Sequence, residues 1–224
     1  MSHYGKYMAA GLFLVCSLAA SADTTVLNLT GLQNLEPIDN YFNGGLGGDG
    51  SGPGPSDGVV FSSNSLAIIS NDNGGTGNFQ NNPSGGPIAF FLSGNGDDIK
   101  IEDGLAGGFS FYYSSAYAAS VTVYSGLNNT GSLLATIPLV VQDDLDCAPG
   151  SDTTYCNWTA AGATFSGTAE SIDFGGVANY DGFDEITLGA GVPGPSVTPE
   201  PGTFVLLDTG LIGLAGAVRR RFSH

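Results

Sequence analysis

The chain has 224 residues, enough for one domain of ordinary size plus terminal segments. Glycine is abundant at 36 residues, Lys and Arg together number 5 against 21 acids, and the net charge is −16. Between Asp23 and Pro199 a single basic residue, Lys100, stands against 19 acids, a net of −18, and a surface of that sign repels phosphate backbones and excludes nucleic acid as a partner.

The N-terminus opens with Lys6 as a positive region, followed by an apolar run over 8–20 and the small-x-small triplet Ala20-Ser21-Ala22. This order predicts an export signal over 1–22, cut after Ala22. Cys16 lies inside the apolar run, and Val15 before it fits a lipoprotein box poorly.

From 23 to 195 no amphipathic pattern of helix length occurs. Short β-rich runs occur instead, at 24–29, 58–63, 65–70, 87–94, 99–102, 108–115, 119–126, 132–141, 163–167, 170–176 and 183–189. Several alternate with period two, which sets one face on a core and the other outward. Val121 and Val123 share one face and Thr122 and Tyr124 the other. Phe109, Phe111 and Tyr113 likewise share a face. The runs are bounded by Asn, Gly, Asp and Pro, which predicts an all-β protein, an antiparallel two-sheet sandwich of jelly-roll type. Parallel α/β architecture is excluded, because its crossover helices are missing.

Two glycine-rich loops, 43–58 and 71–86, read as long, polar and flexible. Their simplest duty is to connect strands, and long loops on a sandwich also form binding surfaces. Beyond them, Cys147 and Cys156 form an even pair in an exported body, which predicts a disulfide across a short loop. Trp158 follows, with Tyr155 just before the second cysteine. A lone Trp there serves either core packing or stacking on a sugar ring. The exposure of Trp158, Tyr112, Tyr113 and Tyr117 decides between the two.

Residues 189–198 form a Pro/Gly-rich linker between the domain over 23–188 and the tail over 199–224. The tail runs Pro199-Glu200-Pro201-Gly202, an apolar segment over 204–218, then Arg219, Arg220 and Arg221. Fifteen helical residues span about 22 Å, short of the roughly 30 Å of a bilayer core. The arginines hold the C-terminal end in the cytoplasm and leave the body outside. Gly210, Gly213 and Gly216 give the segment a small-residue face. Such a span suits a transient membrane anchor.

These three elements, in this order, resemble a PEP-CTERM sorting signal. The resemblance is carried by Pro199, Glu200, Pro201, Gly202, Arg219, Arg220 and Arg221, and Asp208 departs from the pattern. It implies recognition and cutting by an exosortase-type membrane protease. It also implies passage through an inner-membrane intermediate to the cell surface or extracellular matrix. The stretches 31–45, 61–70 and 183–189 resemble segments of exported β-sandwich proteins that carry the same signal, a group with no activity to transfer.

Catalytic chemistry is scarce in the body. His3 and His224 lie at the two ends and every arginine lies in the tail, so Ser-His-Asp and Cys-His hydrolases and His-rich zinc sites are excluded. No phosphate-binding fingerprint leads from a strand into a helix. Acids remain. Calcium takes hard oxygen ligands from Asp- and Asn-rich loops, and Asp181 and Asp184 near the last strand, with Glu36 or Asp39 brought close by a jelly roll, are the set it would use. The expected function is a structural or adhesive surface protein rather than an enzyme. The alternative is a carbohydrate-binding module of jelly-roll type with extracellular polysaccharide as partner, and third stands a carboxylate-based glycosidase.

Overall fold

The computed structural model describes residues 24–94, 96–143, 147–149 and 153–194. The expected signal over 1–22 with Ala22, and the tail from Pro199 with its sorting motif and membrane segment, lie outside the described residues. Within them no helix is long and apolar enough to cross a membrane.

Among the described residues ten strands follow in chain order: β1 (Thr25–Leu27), β2 (Glu36–Pro37), β3 (Val59–Phe61), β4 (Ser65–Ile68), β5 (Ile88–Phe91), β6 (Gly96–Ser115), β7 (Ala119–Gly126), β8 (Thr130–Leu139), β9 (Thr159–Gly175) and β10 (Asp181–Leu188). One 3-10 turn, Asn71–Asn73, interrupts them. All pairings between these strands are antiparallel. The ladder runs β2-β4-β5-β10-β6-β9-β7-β8, with β1 added on β10 and β3 on β6.

The layers arise from two long strands. The runs at 99–102 and 108–115, expected as separate strands, are one strand, β6. Those at 163–167 and 170–176 likewise join into β9. The glycines that suggested breaks act as bends. Gly104 and Gly107 adopt φ of 71° and 91°, a region that disfavours a side chain, and the β6–β9 register shifts between Lys100 and Gly107. Gly167 turns β9 in the same way, at φ 98°. The first part of β6 pairs with β3 and its last part with β10, so one bent hairpin feeds both layers.

The core lies between those layers. Phe174 of β9 meets Phe109 and Phe111 of β6 at 5.6 and 5.8 Å between ring centroids, and Phe183 of β10 at 4.7 Å. Val121 and Val123 are fully buried while Thr122 and Tyr124 are half-buried, as the alternation predicted. Burying such side chains contributes roughly 1.5–3 kcal/mol each.

Loop 43–58 also departs from expectation. It is folded around the buried Glu36 carboxylate rather than loose. Glu36 Oε2 accepts the Gln33 N–H at 2.6 Å, and Oε1 accepts the Asp49 and Ser51 N–H groups at 3.1 and 2.9 Å. Burial pushes this carboxyl upward, but the N–H groups of Gln33, Ser51 and Asp49 outweigh it and leave the value lowered. Glycine is required where the loop closes in: a Cβ on Gly54 would sit 2.3 Å from the Tyr41 carbonyl oxygen.

Candidate functional site

Strand β5 is buried on both faces. Ala89 and Phe91 point into the core, so Ile88 and Phe90 point to the opposite face of the sheet. There they join Ser114 of β6 and Gly182 of β10 as the floor of a cavity of about 300 Å³. Three separate segments raise its walls. Asn78 and Phe79 come from loop 71–86, Thr154, Tyr155 and Trp158 from the segment before β9, and Asn179, Tyr180 and Asp181 from the turn into β10.

The first two segments are laced together by main-chain contacts. The Gln80 N–H donates to the Tyr155 carbonyl at 3.0 Å, and the Trp158 indole N–H donates to the Gln80 carbonyl at 2.9 Å. The Thr153 hydroxyl donates to the Asn78 carbonyl at 2.7 Å. Phe79 and Trp158 meet edge to face at 6.0 Å. A bond between Cys147 and Cys156, with Cα atoms 5.1 Å apart, closes the loop that carries Tyr155. The indole is thus fixed at its polar edge while its ring lines the cavity.

The third wall is fastened from below. Asp181 Oδ2 accepts the Val177 N–H, and Oδ1 lies against the Ser115 hydroxyl. Burial pushes the Asp181 carboxyl up, against the Ser115 and Val177 contacts that lower it. The Tyr155 phenol is pushed up to about 12 by burial and then by the facing Tyr180, Asp143, Asp181 and Tyr117. Tyr155, Tyr180 and Asp181 line the cavity together, and Tyr117 packs on Tyr180.

Two details suit the floor to a ligand. Ser114 is buried, lines the cavity, and its hydroxyl has no hydrogen-bond partner among the described residues. An unpaired buried hydroxyl costs about 1–3 kcal/mol unless something reaches it. Gly182 keeps the floor low, since a Cβ there would sit 2.7 Å from Ile88 Cδ1 and 3.4 Å from Trp158 Cη2.

The aromatic residues named from sequence fall into different places. Tyr113 is core, and its hydroxyl accepts the Val140 N–H at 2.9 Å. Tyr112 and Trp158 are half-buried, and Tyr117 is 47% exposed.

The calcium set is not assembled. Glu36 is spent on loop 43–58. In the ladder β2 stands three strand spacings from β10, roughly 14 Å at about 4.8 Å each. Asp39, half-buried at φ 46°, offers its carbonyl to the Phe61 N–H. Asp181 and Asp184 are three residues apart on one strand, so period two turns them to opposite faces. Asp184 Oδ2 accepts from the Asn82 amide and the Ser84 N–H at 3.0 and 2.8 Å, and Oδ1 from the Glu185 N–H at 2.9 Å. Among the described residues no group of three or more His, Cys, Asp or Glu side chains gathers.

No family model and no curated protein matches the chain. Solved structures overlap parts of it. A family 6 carbohydrate-binding module shares 18% identity over 56% of this chain and 81% of its own, with a TM-score of 0.35. Another, from Clostridium cellulolyticum in complex with xylose, shares 22% over 47% and 79%, with a TM-score of 0.29. A family 43 arabinoxylan arabinofuranohydrolase from Bacillus subtilis in complex with cellotetraose shares 17% over 58% and 26%, with a TM-score of 0.36. At TM-scores of this size the overlap stops short of a shared fold, and the cavity stands on its own residues.

Sequence reasoning reached Trp158 and Tyr155 but not Phe79, Ser114, Tyr180 or Gly182. Only Tyr180 carried a local signal, as an aromatic among turn residues in "NYDG". Ser114 and Gly182 are placed by strand pairing across the chain, and Phe79 by loop contacts with Ser70 and Trp158.

Proposed function

We propose that this chain is an exported protein whose β-sandwich binds carbohydrate in the cavity beneath Trp158. The observation that carries the proposal is the pairing of aromatic walls with a partnerless buried hydroxyl on the floor. A sugar ring has apolar C–H faces and a rim of hydroxyls. The faces suit the rings of Trp158, Tyr155 and Tyr180, and the rim suits Ser114, Asn78, Thr154 and Asn179. This moves carbohydrate binding ahead of the structural or adhesive role that composition favoured. Binding without hydrolysis is proposed, because the Asp181 oxygens are already held by Ser115 and the Val177 N–H.

The PEP-CTERM resemblance supports the route: cleavage after Ala22, a transient anchor at 204–218, an exosortase-type partner, and release to the cell surface or matrix. Intact-mass measurement of surface material checks it. The expected species starts at Asp23 and lacks Arg219, Arg220 and Arg221, and a dominant form retaining the arginines overturns the route.

Affinity electrophoresis in gels containing xylan, β-glucan, dextran or polygalacturonate tests the binding. At least one gel should retard the protein, and Trp158→Ala should abolish the retardation without changing the thermal midpoint by more than a few degrees. No retardation in any gel, or equal retardation of the variant, overturns the proposal.

A further inference from the structure

Tyr117 and Tyr180 stand at the mouth of the cavity and have no duty in the core. Their ring centroids are 5.1 Å apart and their planes 88° apart, and they are 47% and 41% exposed. Tyr180 lines the cavity, whereas Tyr117 lies outside it. The pair therefore continues the aromatic surface from inside to outside.

The platform is held firmly. Tyr117 sits in the short turn between β6 and β7. Its N–H donates to the Ser115 hydroxyl at 3.2 Å, and its carbonyl accepts from that hydroxyl at 2.7 Å. The Ala116 N–H donates to the Tyr180 carbonyl at 3.0 Å. The Ser115 hydroxyl also lies against Asp181 on the cavity wall. One hydroxyl thus ties the outer tyrosine to the inner site, so a ligand touching both meets a preorganised surface.

Charge narrows the ligand. Asp181 lines the cavity, and among the described residues no basic one does. The body's only basic residue, Lys100, pairs with Ser171 and Val60 at the other end of β6. A uronic-acid chain would meet an acid here with no counter-charge.

We propose that the Tyr117–Tyr180 pair is an outer subsite, so that the cavity and the pair together read several consecutive residues of an uncharged polysaccharide. This rests on the carbohydrate reading above. One ring fills the cavity over Trp158, and the chain leaves across Tyr180 onto Tyr117.

The test uses isothermal titration of the exported protein with disaccharide to hexasaccharide forms of whichever polysaccharide retards it, and Tyr117→Ala beside it. Wild type should bind the hexasaccharide about tenfold more tightly than the disaccharide. Tyr117→Ala should remove that gain and leave the disaccharide affinity unchanged, with an unaltered circular dichroism spectrum and melting temperature. Equal affinity for both lengths in wild type, or an undiminished gain in the variant, overturns the outer subsite while leaving the cavity reading intact. Tighter binding to polygalacturonate than to every uncharged chain overturns the requirement for neutrality. Failure to bind any glycan removes the subsite together with the reading it rests on.

Discussion

Loop 43–58 and loop 71–86 draw on the same residues, chiefly Gly, Asn, Ser, Pro and Asp, and are put to different uses. The first turns its N–H groups inward onto Glu36, a carboxylate of the same chain, and is complete in itself. The second is anchored at one end by Ser70, whose hydroxyl donates to the Phe79 carbonyl at 2.8 Å, and then offers Asn78 and Phe79 to a cavity. The difference lies in what sits beneath each loop. Glu36 sits under the middle of its loop and gathers it inward, whereas the buried Asp184 takes its bonds from Asn82 and Ser84 near the far end of the second loop and leaves Asn78 and Phe79 to form a wall. Glycine-rich composition therefore marks close backbone approach and not its purpose.

The largest expected effect comes from removing the organising anion. Glu36→Ala leaves the Gln33, Asp49 and Ser51 N–H groups without their acceptor, and we expect a loss of roughly 3–5 kcal/mol. Urea unfolding measures it. Protein that remains folded should still bind glycan, since nothing in loop 43–58 lines the cavity. A loss below about 1 kcal/mol would mean that the loop does not depend on its carboxylate.

A second buried acid sharpens the contrast, because it is held chiefly by hydroxyls. Asp97 Oδ1 accepts from the Ser62 hydroxyl at 2.8 Å and from Ser65. Burial dominates there and pushes the carboxyl up to about 7, against the lowering contacts of Ser65, Ser62 and the Asp98 N–H, with the Asp98 charge adding a little. A raised acid binds its proton more tightly when folded. Its contribution is therefore full below the unfolded value near 4 and lost as pH rises to about 7. Glu36, lowered, acts oppositely and loses its contribution as pH falls below the ordinary carboxylate range. The melting temperature should peak in mild acid and fall toward neutrality. Asp97→Asn should flatten that fall, which amounts to something on the order of 4 kcal/mol between pH 4 and pH 7. A pH profile unaltered by the substitution would refute the assignment.

Much of the fold was legible, and the reason is local. Alternation along 108–115 and 119–126 is a property of neighbouring residues, and it located β6 and β7 and their core faces correctly. The junctions within β6 and β9 were illegible, because a glycine that bends a strand and a glycine that ends one look alike until the partner strand is present. The cavity was less legible still. Trp158 acquires its role from Gly182, 24 positions later, and from the Gln80 carbonyl, 78 positions earlier. The named calcium set is not brought together for a related reason. Counting acids in turns says nothing of whether backbone N–H groups have already claimed them, as at Asp184.

Opening the Cys147–Cys156 bond has a smaller effect that should fall on one loop system and spare the other. With Cys147→Ser and Cys156→Ser together, we expect a loss of about 2–3 kcal/mol from a ring of this size. Amide exchange should quicken at 153–158 and at Gln80, whose N–H meets the Tyr155 carbonyl, while Asp49 and Ser51 stay protected. Equal quickening in both loops would show that they are coupled through the sheet.

The smallest expected change is at the cavity floor. Gly182 is the second residue of β10 and has no left-handed backbone, so its hydrogen side chain serves space and not conformation. In Gly182→Ala the new methyl meets Ile88 Cδ1 at 2.7 Å, a contact that must give, though Cδ1 is the end of a flexible side chain. Alanine in a strand regains roughly 0.5–1 kcal/mol over glycine, which offsets most of that crowding, so stability should change little. The methyl also comes 3.4 Å from the indole edge and lifts the floor on which a sugar ring would rest. Glycan affinity should fall a few fold, about 1 kcal/mol or less. Unchanged affinity in a stably folded Gly182→Ala protein would place the bound ring away from Trp158 and toward Tyr180.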